Sequence, residues 1–124
     1  MKAVFDTNIL IDYFNGVDNA RNELDLYDDK LISIITWIEL MVGTNTDNES
    51  KFIKSYLKSF NVVSIENKIA SKAVKIKKYN KIKLPDALIY ATAKEHGCIL
   101  VTRNTKDFDP SSPDIREPYR VGTT

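Results

Sequence analysis

Four short and continuously apolar runs are spaced along this chain of 124 residues, and amphipathic segments lie between them. The runs span residues 2–6, 30–34, 61–65 and 98–102. Continuous apolar runs of this length are typical of strands buried on both faces, whereas half-exposed strands alternate apolar and polar residues. Strands that alternate with helices form parallel sheets covered by helices. The pattern therefore predicts an α/β fold with a mostly parallel central sheet of four to five strands.

The helices between these strands are predicted from apolar spacing and from helix-ending residues. They cover residues 8–14, 20–27, 36–42, 49–60, 68–79 and 85–96. Pro85 suits the first helical position and Gly97 suits the position just after the last helix, while Gly43 suits the end of the third. Beyond Phe108, three prolines indicate an irregular segment at 110–124 with a short edge strand at 119–121. We expect residues 1–124 to form a single domain.

Composition excludes several classes of function. One cysteine (Cys98) and one histidine (His96) cannot complete a Cys/His zinc site, and a single cysteine cannot form an intramolecular disulfide. No stretch approaches the ~20 apolar residues of a membrane span, and Asp6 interrupts any N-terminal signal sequence, so we expect a cytoplasmic protein without membrane contact. The net charge of +1 gives no global reason to expect nucleic acid.

Three acidic residues stand far apart in the chain, each in apolar surroundings. Asp6 ends the first run, Glu39 interrupts a long apolar stretch, and Asp86 lies at the start of the last predicted helix. Asn104 and Asp107 follow the last long strand. Ligands of open α/β sheets collect beyond the carboxyl ends of the strands, where these residues could converge. Buried carboxylates require a compensating charge, and oxygen ligands suit a hard divalent cation.

Each acidic residue also has a purely structural interpretation. Asp6 or Thr7 could cap the first helix, and Thr36 with Glu39 fits a capping box. Asp86 would stabilise any helix N-terminus, and Asn104 with Asp107 could form a turn. The joint occurrence of three acids beside the most apolar parts of the chain favours a shared site.

The sequences of four segments resemble those of the PIN-domain nucleases, and more narrowly those of the VapC toxins of VapBC type II toxin–antitoxin systems. The segments read FDTNILID at 5–12, IEL at 38–40, LPDALI at 84–89 and LVTRNTKDF at 100–108. The resemblance implies that Asp6, Glu39 and Asp86 are catalytic and bind metal. Asn104 replaces an acid common in the family and would bind metal weakly, while Asp107 is a possible further ligand. Thr7, Asn8 and Thr102 would support the ligands through hydrogen bonds.

The same resemblance implies a toxic endoribonuclease that uses Mg²⁺, with Mn²⁺ as a substitute, to hydrolyse RNA phosphodiester bonds. It also implies a homodimer and a VapB-type antitoxin, which alone would contact operator DNA. Basic residues near the acids would guide the RNA, namely Arg103, Lys78, Lys81 and Lys83. A solvated helix face is the alternative interpretation of the lysines.

Three other functions are alternatives to the nuclease, and the sequence argues against each. A phosphatase of the haloacid dehalogenase type needs a second Asp where Asn8 stands, and a response-regulator receiver needs an Asp after the third strand, where residues 64–66 read Ser-Ile-Glu. The remaining alternative is a catalytically weakened PIN-like domain that acts only as a binding partner, with Asn104 as a sign of decay. The three retained acids argue against it.

Overall fold

The chain forms five parallel strands and six helices within residues 1–121, the part that a computed structural model describes. The strands are β1 (Lys2–Phe5), β2 (Asp29–Ser33), β3 (Asn61–Val63), β4 (Ile99–Val101) and β5 (Ile115–Arg116). The helices are α1 (Thr7–Phe14), α2 (Asp18–Asp25), α3 (Ile34–Val42), α4 (Asp47–Leu57), α5 (Asn67–Tyr79) and α6 (Leu84–Glu95). The predicted α/β class and its parallel sheet are confirmed.

The strand order β3-β2-β1-β4-β5 places β1 at the centre of the sheet. From β1 the chain moves outward through β2 and β3, and then crosses to β4 on the other side of β1. The order therefore reverses between β1 and β4, which is where open α/β sheets form a crevice beyond their carboxyl ends. Asp6 follows β1 and Thr102 follows β4, so both residues lie at this crevice.

Two apolar clusters sandwich the sheet because neighbouring side chains of a strand point to opposite faces. In β1, Val4 packs into one cluster, whereas Ala3 and Phe5 pack into the other. Helices α5 and α6 cover the first face, and α1 to α4 contribute to the second. The side chains of α5 that face the core lie at helical spacing and are buried: Ile69, Ala73 and Ile76.

The C-terminal edge of the sheet differs from the prediction. The edge strand predicted at 119–121 is wrong, since the strand lies at Ile115–Arg116 and pairs with β4 through Leu100 and Ile115. Ile115 is buried in the core, which fixes that register, whereas the Tyr119 hydroxyl is held by a side chain of α1. Of the predicted segment 110–124, residues 122–124 lie outside the described residues.

The start of α3 also differs from the prediction. Ser33 is the N-cap, and its hydroxyl oxygen accepts a hydrogen bond of 3.1 Å from the Ile35 amide. The helix thus begins two residues before Thr36, so the alternative interpretation of Thr36 and Glu39 as a capping box is wrong. At the other predicted boundary, Gly97 follows α6 with a φ of +63°, as expected of a glycine in that position. Within residues 1–121, no helix is long and apolar enough to cross a membrane.

Candidate active site

Asp6 is a buried carboxylate at the switch point of the sheet, with only 4% of its surface exposed. It caps α1 by accepting a hydrogen bond of 2.8 Å from the Thr7 amide. Its other oxygen accepts from the Thr102 hydroxyl at 2.8 Å and from the Asn8 side-chain amide at 3.2 Å. Burial raises the pKa of Asp6, although these donors oppose the shift. The capping interpretation is therefore correct, but the cap is buried rather than solvent-facing.

Glu39 lies in the second turn of α3, where its carboxylate meets α1. The Thr7 hydroxyl donates to Glu39 Oε1 over 2.6 Å, and the same hydroxyl lies 3.1 Å from Thr36 Oγ1. A hydroxyl carries one hydrogen, so the shorter contact assigns Thr7 as donor to Glu39 and as acceptor from Thr36. Thr7 thus links two of the predicted acids, since its amide binds Asp6 and its hydroxyl binds Glu39.

Asp86 occupies the third position of α6 and is half-buried. Its pKa is raised from 3.8 to about 6, chiefly by burial and then by the negative charges of Asp6, Asp107 and Glu39. Lys83 opposes the shift, but less strongly. The negative charges of Asp6, Asp107 and Glu39 therefore lie near enough to act on the Asp86 carboxylate. The structure therefore brings together the acids that we predicted from separate segments.

The loop after β4 holds Asn104 and Asp107 in a local turn. The Asn104 amide nitrogen of the side chain donates to Asp107 Oδ2 at 3.0 Å, and its oxygen accepts from the Asp107 backbone amide at 3.2 Å. The Asn104 backbone amide donates to the Thr102 hydroxyl oxygen at 3.0 Å. The turn interpretation of this pair is thus correct. A metal-binding role for either residue stays a prediction.

The site has an excess of negative charge and of oxygen atoms that could bind a metal. Among residues 1–121, no salt bridge involves the four carboxylates of the crevice: Asp6, Glu39, Asp86 and Asp107. As placed, no three His, Cys, Asp or Glu side chains of these residues lie where they could hold a metal ion together. A fully enclosed site is not what Mg²⁺ requires, because it retains several waters and takes one or two carboxylates. Carboxylate oxygens are the kind of ligand that a hydrated divalent cation takes.

Asp12 is an acidic residue beside the site that we did not predict from the sequence. Its carboxylate accepts from both the Nε and Nη2 of Arg103, the latter over 3.0 Å, and from the Tyr119 hydroxyl at 2.8 Å. The Arg103 backbone amide in turn donates to Asn8 Oδ1 at 3.1 Å. Asp12 stands in apolar sequence without a local cation, so the signal that identified Asp6 could have identified it. The ion pair gives Arg103 a structural role, and its predicted contact with RNA stays a prediction.

The lysines before α6 separate into two groups. Lys72 and Lys75 lie in a shallow pocket beside Glu95, with which Lys72 pairs. The three lysines predicted to guide RNA lie instead in one groove that Asp107 also lines: Lys78, Lys81 and Lys83. The groove places these positive charges at the margin of the acidic crevice.

Comparison with known proteins adds a family and a set of similar structures. The family model of the PIN domain matches residues 3–109. A toxin–antitoxin complex from Klebsiella pneumoniae contains a chain 42% identical, with a TM-score of 0.91 over 97% of this chain and 100% of that one. No curated protein sequence matches the chain.

Two more distant structures are similar as well. The complex VapBC-1 from nontypeable Haemophilus influenzae has a chain 26% identical, with a TM-score of 0.71 over 87% of this chain and 90% of that one. The complex VapBC2 from Rickettsia felis, bound to a DNA fragment from its promoter, has a chain 22% identical, with a TM-score of 0.80 over 94% and 96%. The latter likeness shows the fold alone.

Proposed function

The chain belongs to the PIN-domain family, as its motifs predicted, and from this premise we propose that it is a VapC-type toxin. In this proposal it is a metal-dependent endoribonuclease that hydrolyses RNA phosphodiester bonds and is neutralised by a cognate antitoxin. The observation that carries the proposal is the uncompensated acidic crevice at the switch point of the sheet. The contacts of Thr7 with both Asp6 and Glu39, together with the effect of these two charges on Asp86, support one shared ion site.

In the proposed mechanism, Asp6, Glu39 and Asp86 are the catalytic residues and hold Mg²⁺, for which Mn²⁺ can substitute. A bound divalent ion would lower the pKa of a water and neutralise charge on the phosphoryl oxygens. Asn104 would be a weak ligand and Asp107 a possible one, since their side chains also bind each other.

The supporting residues fix the orientation of the acids before the ion arrives. Thr102 and Asn8 direct one oxygen of Asp6, and Thr7 holds one oxygen of Glu39, so the free lone pairs point away from these donors. Hydrogen bonds of this kind restrict carboxylate rotation, which lowers the entropic cost of binding metal. Asp86 has no such donor in the described residues, which fits its raised pKa and makes it the acid most dependent on a cation.

An apolar groove beside Glu39 supports the antitoxin part of the proposal. Ile11 and Phe52 line it and are 46% and 63% exposed. A partner segment lying there would reach the acidic crevice, where a basic side chain could pair with Glu39. The similarity to the Klebsiella complex at 42% identity supports the same partner class. We further propose a homodimer, contact with operator DNA only through the antitoxin, and a cytoplasmic location.

The second candidate is a catalytically weakened domain that only binds a partner. The observation that favours it is Asn104, whose amide is occupied by Asp107 and replaces a carboxylate common in the family. The two candidates differ in one outcome, which is RNA cleavage that depends on a divalent ion.

A nuclease assay on antitoxin-free protein tests the proposal. RNA should be cut with Mg²⁺ or Mn²⁺ and remain intact after EDTA is added. Asp6→Asn should lose most of the rate, and it should stay folded because asparagine also caps helices well. Asp29→Asn, at an exposed position on β2, is the matched control and should cut like the parent. Cleavage that persists in EDTA, or an active Asp6→Asn variant, would contradict the mechanism.

A further inference from the structure

A groove with an unusual concentration of positive charge runs between the end of α5 and the loop after β4. Five of its lining residues are lysines: Lys77, Lys78, Lys81, Lys83 and Lys106. Among the described residues, none of the five is in a salt bridge. The whole chain has a net charge of only +1, so this groove departs strongly from the average surface. Such a local field attracts a polyanion even when the net charge is small.

An exposed aromatic ring stands among these lysines. Tyr79, the last residue of α5, is 83% exposed, which is the largest fraction among the exposed large hydrophobic and aromatic side chains in residues 1–121. Its neighbours on either side are anchored, because Ile76 and Ile82 are buried and the Asn80 side chain donates to the Ile76 carbonyl at 2.9 Å. The backbone around Tyr79 is thus fixed while its ring is left free. Core packing does not explain this ring.

The groove leads directly to the acidic crevice. Asp107 lines the groove, and its carboxylate accepts a hydrogen bond from the side chain of Asn104, whose backbone amide donates to the Thr102 hydroxyl that binds Asp6. Lys83 lines the groove as well, and it is the N-cap residue of α6, three positions before Asp86. A chain of phosphates lying over the lysines would therefore arrive beside the carboxylates that we propose to hold the metal.

We propose that this lysine groove binds single-stranded RNA, with the lysines contacting successive phosphates and Tyr79 stacking on an unpaired base. Positive grooves combined with exposed aromatic rings are the usual means of binding single strands, because every base offers a flat face. A duplex keeps its bases stacked inside and would gain nothing from Tyr79. The inference rests on the proposed ribonuclease function and names the part of the substrate that this surface recognises.

Binding measurements on uncleaved RNA test the groove. The Asp6→Asn protein in EDTA would be titrated against a fluorescent, unstructured RNA of about 20 nucleotides at several salt concentrations. Replacing Lys77, Lys78 and Lys81 together by glutamine should weaken binding and reduce the slope of log affinity against log salt by about two, since each phosphate contact contributes ~0.7. The control replaces Lys51, Lys54 and Lys58 on and just after α4 by glutamine, with the same change in net charge. An equal effect of the control variant would overturn the proposal.

Tyr79 is tested separately, because it determines the preference for a single strand. Tyr79→Ala should lose about tenfold in affinity for the unstructured RNA and little for a duplex, while Tyr79→Phe should bind like the parent because it keeps the ring. Neither substitution should affect folding, given the exposure of the side chain. If Tyr79→Ala binds the unstructured RNA as tightly as the parent, the proposal is overturned. A change in oligomeric state without a loss of RNA affinity would likewise overturn it, by showing that the surface has another role.

The outcome for the groove can be separated from the outcome for the nuclease. Suppose that the lysine variant cleaves subsaturating RNA as fast as the parent while Asp6→Asn is inactive. The proposed RNA binding in the groove is then wrong, and the proposed nuclease function is retained. If the parent protein cuts no RNA but the lysine and Tyr79 variants lose single-strand binding, the proposed nuclease function is wrong and the proposed RNA binding in the groove is retained.

Discussion

Arg103 forms a two-point ion pair with Asp12, which precedes it by 91 residues in the chain. The two side chains are 28% and 9% exposed, so the pair is largely shielded from water. It ties the loop after β4 to α1, and the Arg103 backbone amide reaches Asn8 in the same region. Because Asn8 also donates to Asp6, the ion pair lies two contacts away from the proposed metal site.

Removing Arg103 should destabilise the fold. Arg103→Ala leaves the Asp12 carboxylate buried with only the Tyr119 hydroxyl as a partner, and an uncompensated buried charge costs about 3 kcal/mol. Urea unfolding of the parent and the variant measures the loss. Arg21→Ala is the control, since Arg21 and Asp18 form an exposed pair whose removal should change stability little. If Arg103→Ala were as stable as the control, Arg103 would be available to contact RNA as the sequence predicted.

Removing the Thr7 hydroxyl should weaken the site without unfolding the protein. Thr7→Val keeps the shape of the side chain but lets Glu39 rotate, because the donor at 2.6 Å is lost. Loss of such a supporting hydrogen bond typically reduces metal affinity or activity 10- to 100-fold. Calorimetric titration with Mn²⁺ and the cleavage rate at saturating metal would measure both effects. Thr7→Ser retains the donor, so its Mn²⁺ affinity and cleavage rate should match those of the parent. Parent-like values in Thr7→Val would contradict the supporting role of the hydroxyl.

Replacing Asp86 should stabilise the metal-free protein in a manner that depends on pH. The unfolded chain releases the Asp86 proton near pH 3.8, whereas the folded protein retains it to about pH 6. The parent therefore loses stability as pH rises from about 4 to 6, since burial and the charges of Asp6, Asp107 and Glu39 oppose ionisation. Asp86→Asn removes that loss.

Melting temperatures in EDTA at pH 4.5 and pH 7.5 test this difference. The melting temperature of Asp86→Asn should be clearly higher than that of the parent at pH 7.5 and only slightly higher at pH 4.5. Added Mg²⁺ should raise the melting temperature of Asp86→Asn less than it raises that of the parent. A variant less stable than the parent at pH 7.5 would show that Asp86 acts mainly as a helix N-terminal charge on α6.

The sequence predicted the fold because its strongest signals are local. The runs that became β1 and β4 are continuously apolar, and their burial on both faces needs no knowledge of distant residues. The predicted edge strand was wrong because β5 has two residues, too few for any periodicity, and its position depends on packing of Ile115 against the core. The capping-box interpretation of Thr36 and Glu39 was wrong because Ser33, the last residue of β2, is the N-cap of α3.

The site was predicted only in part for a related reason. Each acid could be recognised from its own neighbours, whereas its partners come from elsewhere in the chain. Asp12 with Arg103 and Glu23 with Arg116 are ion pairs between residues 91 and 93 positions apart. Sequence separation of this size leaves no local spacing to detect. Such contacts became visible only with the sheet topology, which brings the ends of β4 and β5 beside α1 and α2.

Asn104→Asp should strengthen metal binding and weaken the metal-free protein. The Asn104 side chain now donates to Asp107 at 3.0 Å, so an aspartate would replace that hydrogen bond with repulsion between two carboxylates. A divalent ion relieves the repulsion and gains a hard anionic ligand, so its affinity should rise. With Asn104 in place, we expect one well-occupied site and a second ion only when an RNA phosphate adds negative charge.

Calorimetry and melting on the same samples decide the role of Asn104. In EDTA the Asn104→Asp variant should melt below the parent, and saturating Mn²⁺ should reverse that order. Asn22→Asp, at an exposed position on α2, changes the net charge equally and should leave metal affinity unchanged. Two tight ions in the parent, or no gain in affinity in Asn104→Asp, would show that Asp107 already supplies the charge. In that case the loop after β4 binds metal through Asp107, and the asparagine serves only to orient it.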